Sequence, residues 1–347
     1  MKIYFFLILL FLSITQISAQ SRKDLIWEYK KLITNDSQLG ISLTGTINNF
    51  SNEEIRYILD SAWVKKKTII LLQILGYLSN PECMIQNFTD QTIRNAMLQF
   101  KTDHSISFDL DIDKPSLAIL YGRYLNSERE DLLPYRIVQN SLTYNSLDVL
   151  LIGYKNELEL QLWVRARNSN SKYLRLKSFN ITDSNVACLG PKSVLGDNLT
   201  PEGVYSVEFY SSLKWSDFYL AFRVSYPNDA DIARRNYWGI SAKPGGDINI
   251  HGCCISIGCI PIGNPDMEEL FLLIRANQKN GSAVKILIFP FKFDDLATKG
   301  RFINQYRDEV LLLGFWQSLE RIHHYFLGSC QLPRVGFDDT TGNYTIN

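Results

Sequence analysis

The sequence predicts a multidomain α and β protein: a helical N-terminal module followed by a mostly β domain with flanking helices. Two patterns predict it. Up to about residue 123 apolar residues recur at helical spacing, as at Ile93, Ala96, Met97 and Phe100. From about residue 145 the period falls to two: Leu158, Leu160, Leu162 and Val164 alternate with Glu159, Gln161 and Trp163. Length agrees, since 347 residues suffice for about two domains.

The chain begins Met1-Lys2, runs through an apolar stretch from Ile3 to Leu12, and reaches Ser18-Ala19-Gln20. A basic start, a short apolar run and a small residue read as a signal peptide over residues 1–19, hence an exported protein of the periplasm or cell envelope. The run is shorter than the ~20 residues of a comfortable membrane span; an uncleaved N-terminal anchor is the other reading. Residues 20–67 read as a helical segment, with Ser51-Asn52-Glu53-Glu54 as a capping box ahead of Ile55, Ile58, Leu59 and Ala62.

Residues 68–123 predict three helices. Ile70, Leu71, Ile74 and Leu75 form a stripe ended by Gly76, Thr89 caps a second helix, and Asp113 with Pro115 opens a third containing Leu117 and Leu120. In this order and spacing the segment resembles the small three-helix peptidoglycan-binding module, although it lacks a glycine in the loop around Ile106 to Asp111. Residues 124–144, polar and charged with Pro134, read as a linker. Beyond it, Val149 to Ile152 and Leu158 to Val164 form a hairpin and Tyr173 to Ile181 a further strand. Gly190 to Tyr205 is a rigid Gly- and Pro-rich loop feeding a strand, Phe218 to Phe222 is a strand, and Asp247 to Ile250 is a strand that delivers His251 at its end. Asn264, Pro265 and the acidic residues after them open a helix. Ala283 to Phe291 is a strand, Asp308 to Leu327 a long amphipathic helix, and residues 336–347 a polar tail.

Composition narrows the function. Lys+Arg and Asp+Glu both number 36, so no global field favours nucleic acid, and nucleic-acid partners are not expected. Of six cysteines, three crowd into His251-Gly252-Cys253-Cys254-Ile255-Ser256-Ile257-Gly258-Cys259. A strand end followed by a tight glycine-containing turn brings His251 and Cys259 together. An imidazole can then take the proton of a thiol that is otherwise mostly protonated at neutral pH. Backbone N–H groups around Gly258 and Cys259 suit an oxyanion, and a carbonyl near Gly252 suits the other ring nitrogen. Two other readings stay open on residue types: buried apolar cysteines, and a zinc site from His251, Cys253, Cys254 and Cys259, which the adjacent-cysteine spacing suits poorly. A disulfide from Cys188 or Cys330 to Cys253 or Cys254 is a further option.

Ile250-His251-Gly252 with Ser256-Ile257-Gly258-Cys259 resembles the catalytic motif of the L,D-transpeptidases of YkuD type, in the subgroup with a short interval from histidine to cysteine. Gly190-Pro191-Lys192, Gly196-Asp197, Thr200-Pro201-Glu202-Gly203 and Ser225-Tyr226-Pro227-Asn228 are similar to that subgroup in order and spacing. The resemblance covers residues 145–335. It implies a mostly β catalytic fold and attack on peptide stems of peptidoglycan through a thioacyl intermediate. Cys259 is then the nucleophile and His251 the base, with Ser256 and Gly258 shaping the turn and Gly252 supplying the orienting carbonyl. Ile257 and Pro261 stand where many members carry His or Arg, and Arg or Asn. Tyr226 and Lys192 are expected substrate contacts. Peptidoglycan is the expected partner, with a transient envelope association; no cofactor and no metal is expected, and no oligomeric state follows. His104, His323 and His324 read as surface or helix-face residues.

Overall fold

The computed structural model describes residues 64–79, 89–104, 114–209, 219–279 and 281–346. The signal-peptide, residue 20–63 and capping-box readings lie outside them. The chain divides into two compact units with a boundary after Glu128.

In the first unit, helices α1 (Val64–Ile74), α2 (Asp90–Asp103) and α3 (Lys114–Leu125) follow the apolar spacing. Ile70, Leu71, Ile93, Met97, Phe100, Leu117 and Leu120 are all buried. Gly76, at φ +89°, ends α1, and the Thr89 hydroxyl accepts the N–H of Thr92 to cap α2.

The second unit begins inside the stretch read as linker. Residues 133–139 form α4 (Leu133–Gln139), with Leu133 and Ile137 fully buried. The Leu133 N–H donates to Glu269 at 3.0 Å, and Arg136 donates to the Leu176 carbonyl at 2.5 Å. Charged residues around Pro134 masked this short apolar face. After it come β1 (Leu147–Tyr154), β2 (Glu159–Ala166), β3 (Leu174–Asn180), β4 (Gly203–Phe209), β5 (Ala221–Val224), α5 (Asp229–Tyr237), β6 (Asn249–His251), β7 (Ile260–Pro261), α6 (Asn264–Lys279), β8 (Val284–Phe289), α7 (Leu296–Gln305) and α8 (Val310–Ser329).

The eight strands form one sheet, ordered β3-β2-β1-β8-β4-β5-β6-β7. Parallel β1 and β8 lie inside it (Leu150 opposite Lys285), and both read as apolar runs because both faces are covered. Leu150, Ile152, Leu287 and Phe289 pack on Phe315, Trp316, Leu319 and Ile322 of α8. On the α6 side, Phe271 stacks on Phe222 at 4.9 Å.

Two further expectations change. Residues 335–346 are not a polar tail: β9 (Val335–Phe337) and β10 (Tyr344–Ile346) form a hairpin. Buried Tyr344 packs near Phe315, and its hydroxyl accepts the Val204 N–H at 3.0 Å. His323 is not on the surface. It is 1 % exposed, ringed by Phe289 and Phe293, with Nε2 3.1 Å from the Tyr154 hydroxyl. Helix periodicity could not separate it from its exposed neighbour His324. Among the described residues no helix is long and apolar enough to cross a membrane.

Candidate active site

The site stands at the end of the sheet, where antiparallel β5–β6 meets parallel β6–β7. Ala221 pairs with His251, Ile250 with Ile260, and His251 with Pro261. Continuing that register sets Cys259 beside Asn249. Side chains alternate along strands, so Cys259 and His251, two places from Asn249, share one face. Strand spacing and rise put their Cα atoms about 8 Å apart, within side-chain reach.

Glycine at 252 is dictated by space. A Cβ there would come within 2.5 Å of Asn264 Oδ1 and 2.6 Å of the Tyr219 carbonyl. Gly252 N–H donates to that carbonyl at 3.0 Å, and Asn264 Oδ1 accepts the Cys253 N–H at 2.9 Å. The chain then loops out, carrying exposed Ile255 and Ile257, and returns through Ser256. The Ser256 N–H donates to Asp183 at 2.6 Å, its hydroxyl donates to the Cys259 carbonyl at 2.8 Å, and the Gly258 N–H donates to its oxygen at 3.0 Å. Gly258 sits at φ +119°, with the Leu199 carbonyl 2.9 Å from where a Cβ would be. Ser256 and Gly258 are thus bonded to each other within the turn. The Gly258 N–H, however, is committed to Ser256 and does not point to an oxyanion in this arrangement.

His251 is fully buried, and its Nδ1 lies 2.5 Å from the Gly252 carbonyl. A carbonyl only accepts, so Nδ1 carries the proton and Nε2 the basic lone pair. Burial lowers the His251 pKa below the usual imidazole value, partly offset by that bond. Burial also raises the Cys259 thiol, although the Asn249 N–H donates to Sγ at 3.3 Å and pulls the other way. Both shifts favour a neutral thiol and a neutral imidazole, not a resting ion pair.

Lys192 and Tyr226 are not poised as substrate ligands. Lys192 is buried and its ammonium donates to Asp197 at 2.6 Å. Tyr226 is buried, with its hydroxyl donating to the carbonyl of Lys192 at 3.1 Å. Both shape the Gly190–Thr200 loop, which Glu202 anchors to the core: it accepts the Gly190 N–H at 2.8 Å, the Lys155 ammonium at 3.0 Å and the Trp316 indole N–H at 2.8 Å. Sequence reasoning did not find Asp183, Asn249 or Asn264. Asp183 and Asn264 accept backbone N–H groups of the turn, and Asn249 gives its own N–H to the Cys259 sulfur, contacts that leave no local pattern.

The profile of the L,D-transpeptidase catalytic domain (YkuD) matches residues 162–286. Over 195 residues the chain is 30 % identical to YafK of Escherichia coli (strain K12), named as a candidate L,D-transpeptidase, covering 56 % of this chain and 72 % of that one. The chain belongs to the YkuD-type L,D-transpeptidase family. Solved structures similar to it include the helical cell shape determining protein Pgp2 from Campylobacter jejuni (18 % identity, 62 % of this chain and 82 % of that one, TM-score 0.32). Another is Bd1075 of Bdellovibrio bacteriovorus (20 % identity, 52 % and 62 %, TM-score 0.29).

In this member of the family, Cys188, Cys253, Cys254, Cys259 and Cys330 are all free, so the disulfides considered from sequence do not form among the described residues. Nor, among those residues, do three or more His, Cys, Asp or Glu side chains gather where a metal ion would sit.

Proposed function

We propose that this chain is an exported L,D-transpeptidase acting on peptidoglycan stem peptides, with Cys259 as nucleophile and His251 as general base. The observation carrying this reading is the β6–β7 register, which brings the two residues onto one face with the imidazole held by the Gly252 carbonyl. Nε2 takes the thiol proton as Sγ attacks the carbonyl carbon of the stem peptide. The tetrahedral oxyanion is held by the Cys259 N–H. The C–N bond then breaks, the imidazolium returns its proton to the departing amine, and a thioester remains on Cys259. An acceptor amine attacks this thioester and releases the thiol, completing transfer. These steps draw on side chains and backbone alone. The leader at residues 1–19 places the enzyme in the periplasm or envelope, and the helices of residues 68–123 dock it on the wall.

Purified full-length protein and Cys259→Ala, incubated with stem peptides, are compared by mass spectrometry. Wild type is expected to give a cross-linked product and a covalent adduct at Cys259, both absent from the variant. Shortened stems without cross-links would reassign the acceptor to water and the enzyme to hydrolysis. Equal product from both proteins would end the cysteine reading.

A further inference from the structure

A charged pair lies beside the candidate site with no task in the steps above. On the Gly190–Thr200 loop, the Lys192 ammonium donates to Asp197 at 2.6 Å and to the Val194 carbonyl at 3.1 Å, and the lysine is 4 % exposed. Asp197 also accepts the backbone N–H groups of Ser193 and Val194 at 2.8 Å and of Leu199 at 3.1 Å. Burial alone would raise the Asp197 carboxyl; the ammonium and these N–H groups outweigh it and hold the group ionised.

This loop flanks the nucleophile on two sides. Its Leu199 carbonyl closes on Gly258, next to Cys259. The Lys192 stem and Leu195 close on Gly245, with Lys192 Cε 3.4 Å from the position of a Cβ there. Two residues further on, the Asp247 carbonyl lies 3.6 Å from Sγ of Cys259. Leu195 N–H donates to the Lys243 carbonyl at 2.7 Å, tying the two loops together. Lys192 is thus fixed, at its stem and at its ammonium, within the loop that packs against both Gly258 and Gly245.

We infer that the Lys192–Asp197 pair is an electrostatic positioning element for Cys259: the buried ammonium supports the thiolate, and Asp197 holds the ammonium and tempers its charge. The inference rests on the reading of Cys259 as nucleophile. Other charged or titratable groups about the turn include His251, the thiols of Cys253 and Cys254, Asp247, whose charge opposes the thiolate, and Asp183 at the Ser256 N–H. Lys192 acts on the sulfur in the direction proposed, against the dominant effect of burial.

The two members act with opposite signs, and that separates a charge effect from a packing effect. Full-length protein is alkylated with iodoacetamide across a range of pH, and modification is followed at the Cys259 peptide by mass spectrometry. The midpoint of the profile reports the thiolate. Lys192→Met is expected to raise it and Asp197→Asn to lower it, each by up to about one pH unit, the size a unit charge several ångströms away produces in a partly buried site. Lys192→Arg, keeping the charge, is expected to leave it in place. Shifts of the same sign, or no shift in either variant, overturn the inference, as does a Lys192→Arg midpoint that rises with that of Lys192→Met. If Lys192→Met does not fold, the double variant Lys192→Met/Asp197→Asn, with no buried charge left unpaired, is expected above wild type; a midpoint at or below wild type overturns the proposal. Turnover by Cys259→Ala separates the two ideas. Retained turnover with opposite shifts removes the nucleophile from the mechanism and leaves the electrostatics, whereas lost turnover with same-sign shifts removes only the electrostatics.

Discussion

Replacing Gly252 by alanine adds one carbon where the structure has no room for it. The new Cβ would lie 2.5 Å from Asn264 Oδ1, 2.6 Å from the Tyr219 carbonyl and 3.3 Å from Tyr219 Cβ. Two of these neighbours are polar atoms already in use: the carbonyl accepts the Gly252 N–H and Oδ1 accepts the Cys253 N–H. Relief requires the residue to move by roughly 0.7 Å, which weakens both bonds. Each such bond contributes about 1 kcal/mol, and overpacking costs about 1–3 kcal/mol more. A destabilisation of about 3–5 kcal/mol follows, read as a melting temperature lower by about 6–20 °C at this domain size. The carbonyl that orients His251 belongs to the same residue, so a displacement of this size is expected to cost about a hundredfold in kcat. Thermal unfolding and turnover of stem peptides measure both. A Gly252→Ala protein that melts and turns over like wild type would refute the close-packing argument and the orienting role of this carbonyl together.

On the proposed mechanism, His251 sets the acid limb of the pH–kcat/KM profile. Its folded pKa is lowered by burial, and only the neutral ring accepts a proton, so activity is expected to persist below pH 6.5 and to fall at lower pH. A limb centred above 6.5 contradicts that environment. His323 gives a separate effect on stability. Burial lowers its pKa from 6.5 to about 4, so the folded state binds fewer protons than the unfolded chain, and stability is lost as pH falls from about 6.5 through 4. The full loss is on the order of 3 kcal/mol. Denaturant unfolding of His323→Phe is expected to show a flatter dependence over that window, and an unchanged slope would place the titrating group elsewhere.

The candidate site was legible in residue order, for identifiable reasons. Histidine, glycines and cysteine eight places apart could be read because the proposed nucleophile, the proposed base and the turn all lie in one short segment. The period-two run at Leu158 marked a strand by its alternation, and the continuous apolar run at Val149 marked one covered on both faces. The three helices of residues 64–125 followed from apolar spacing and from the Thr89 cap. Elements too short to establish a period were not legible: α4 inside the supposed linker, α5 and α7, and the β9–β10 hairpin whose buried Tyr344 looked like part of a polar tail.

Sequence by itself determined where an imidazole and a thiol fall eight places apart in one glycine-containing segment, and so which residues are candidates for acyl transfer. Tertiary structure decided what surrounds them. It made Lys192 and Tyr226 internal struts, committed the Gly258 N–H to Ser256, left the described cysteines unpaired and buried His323 among aromatic rings. The physical reason is that a reactive atom is intrinsic to its residue. Its pKa, exposure and hydrogen-bond partners are set by groups that fold against it from distant parts of the chain.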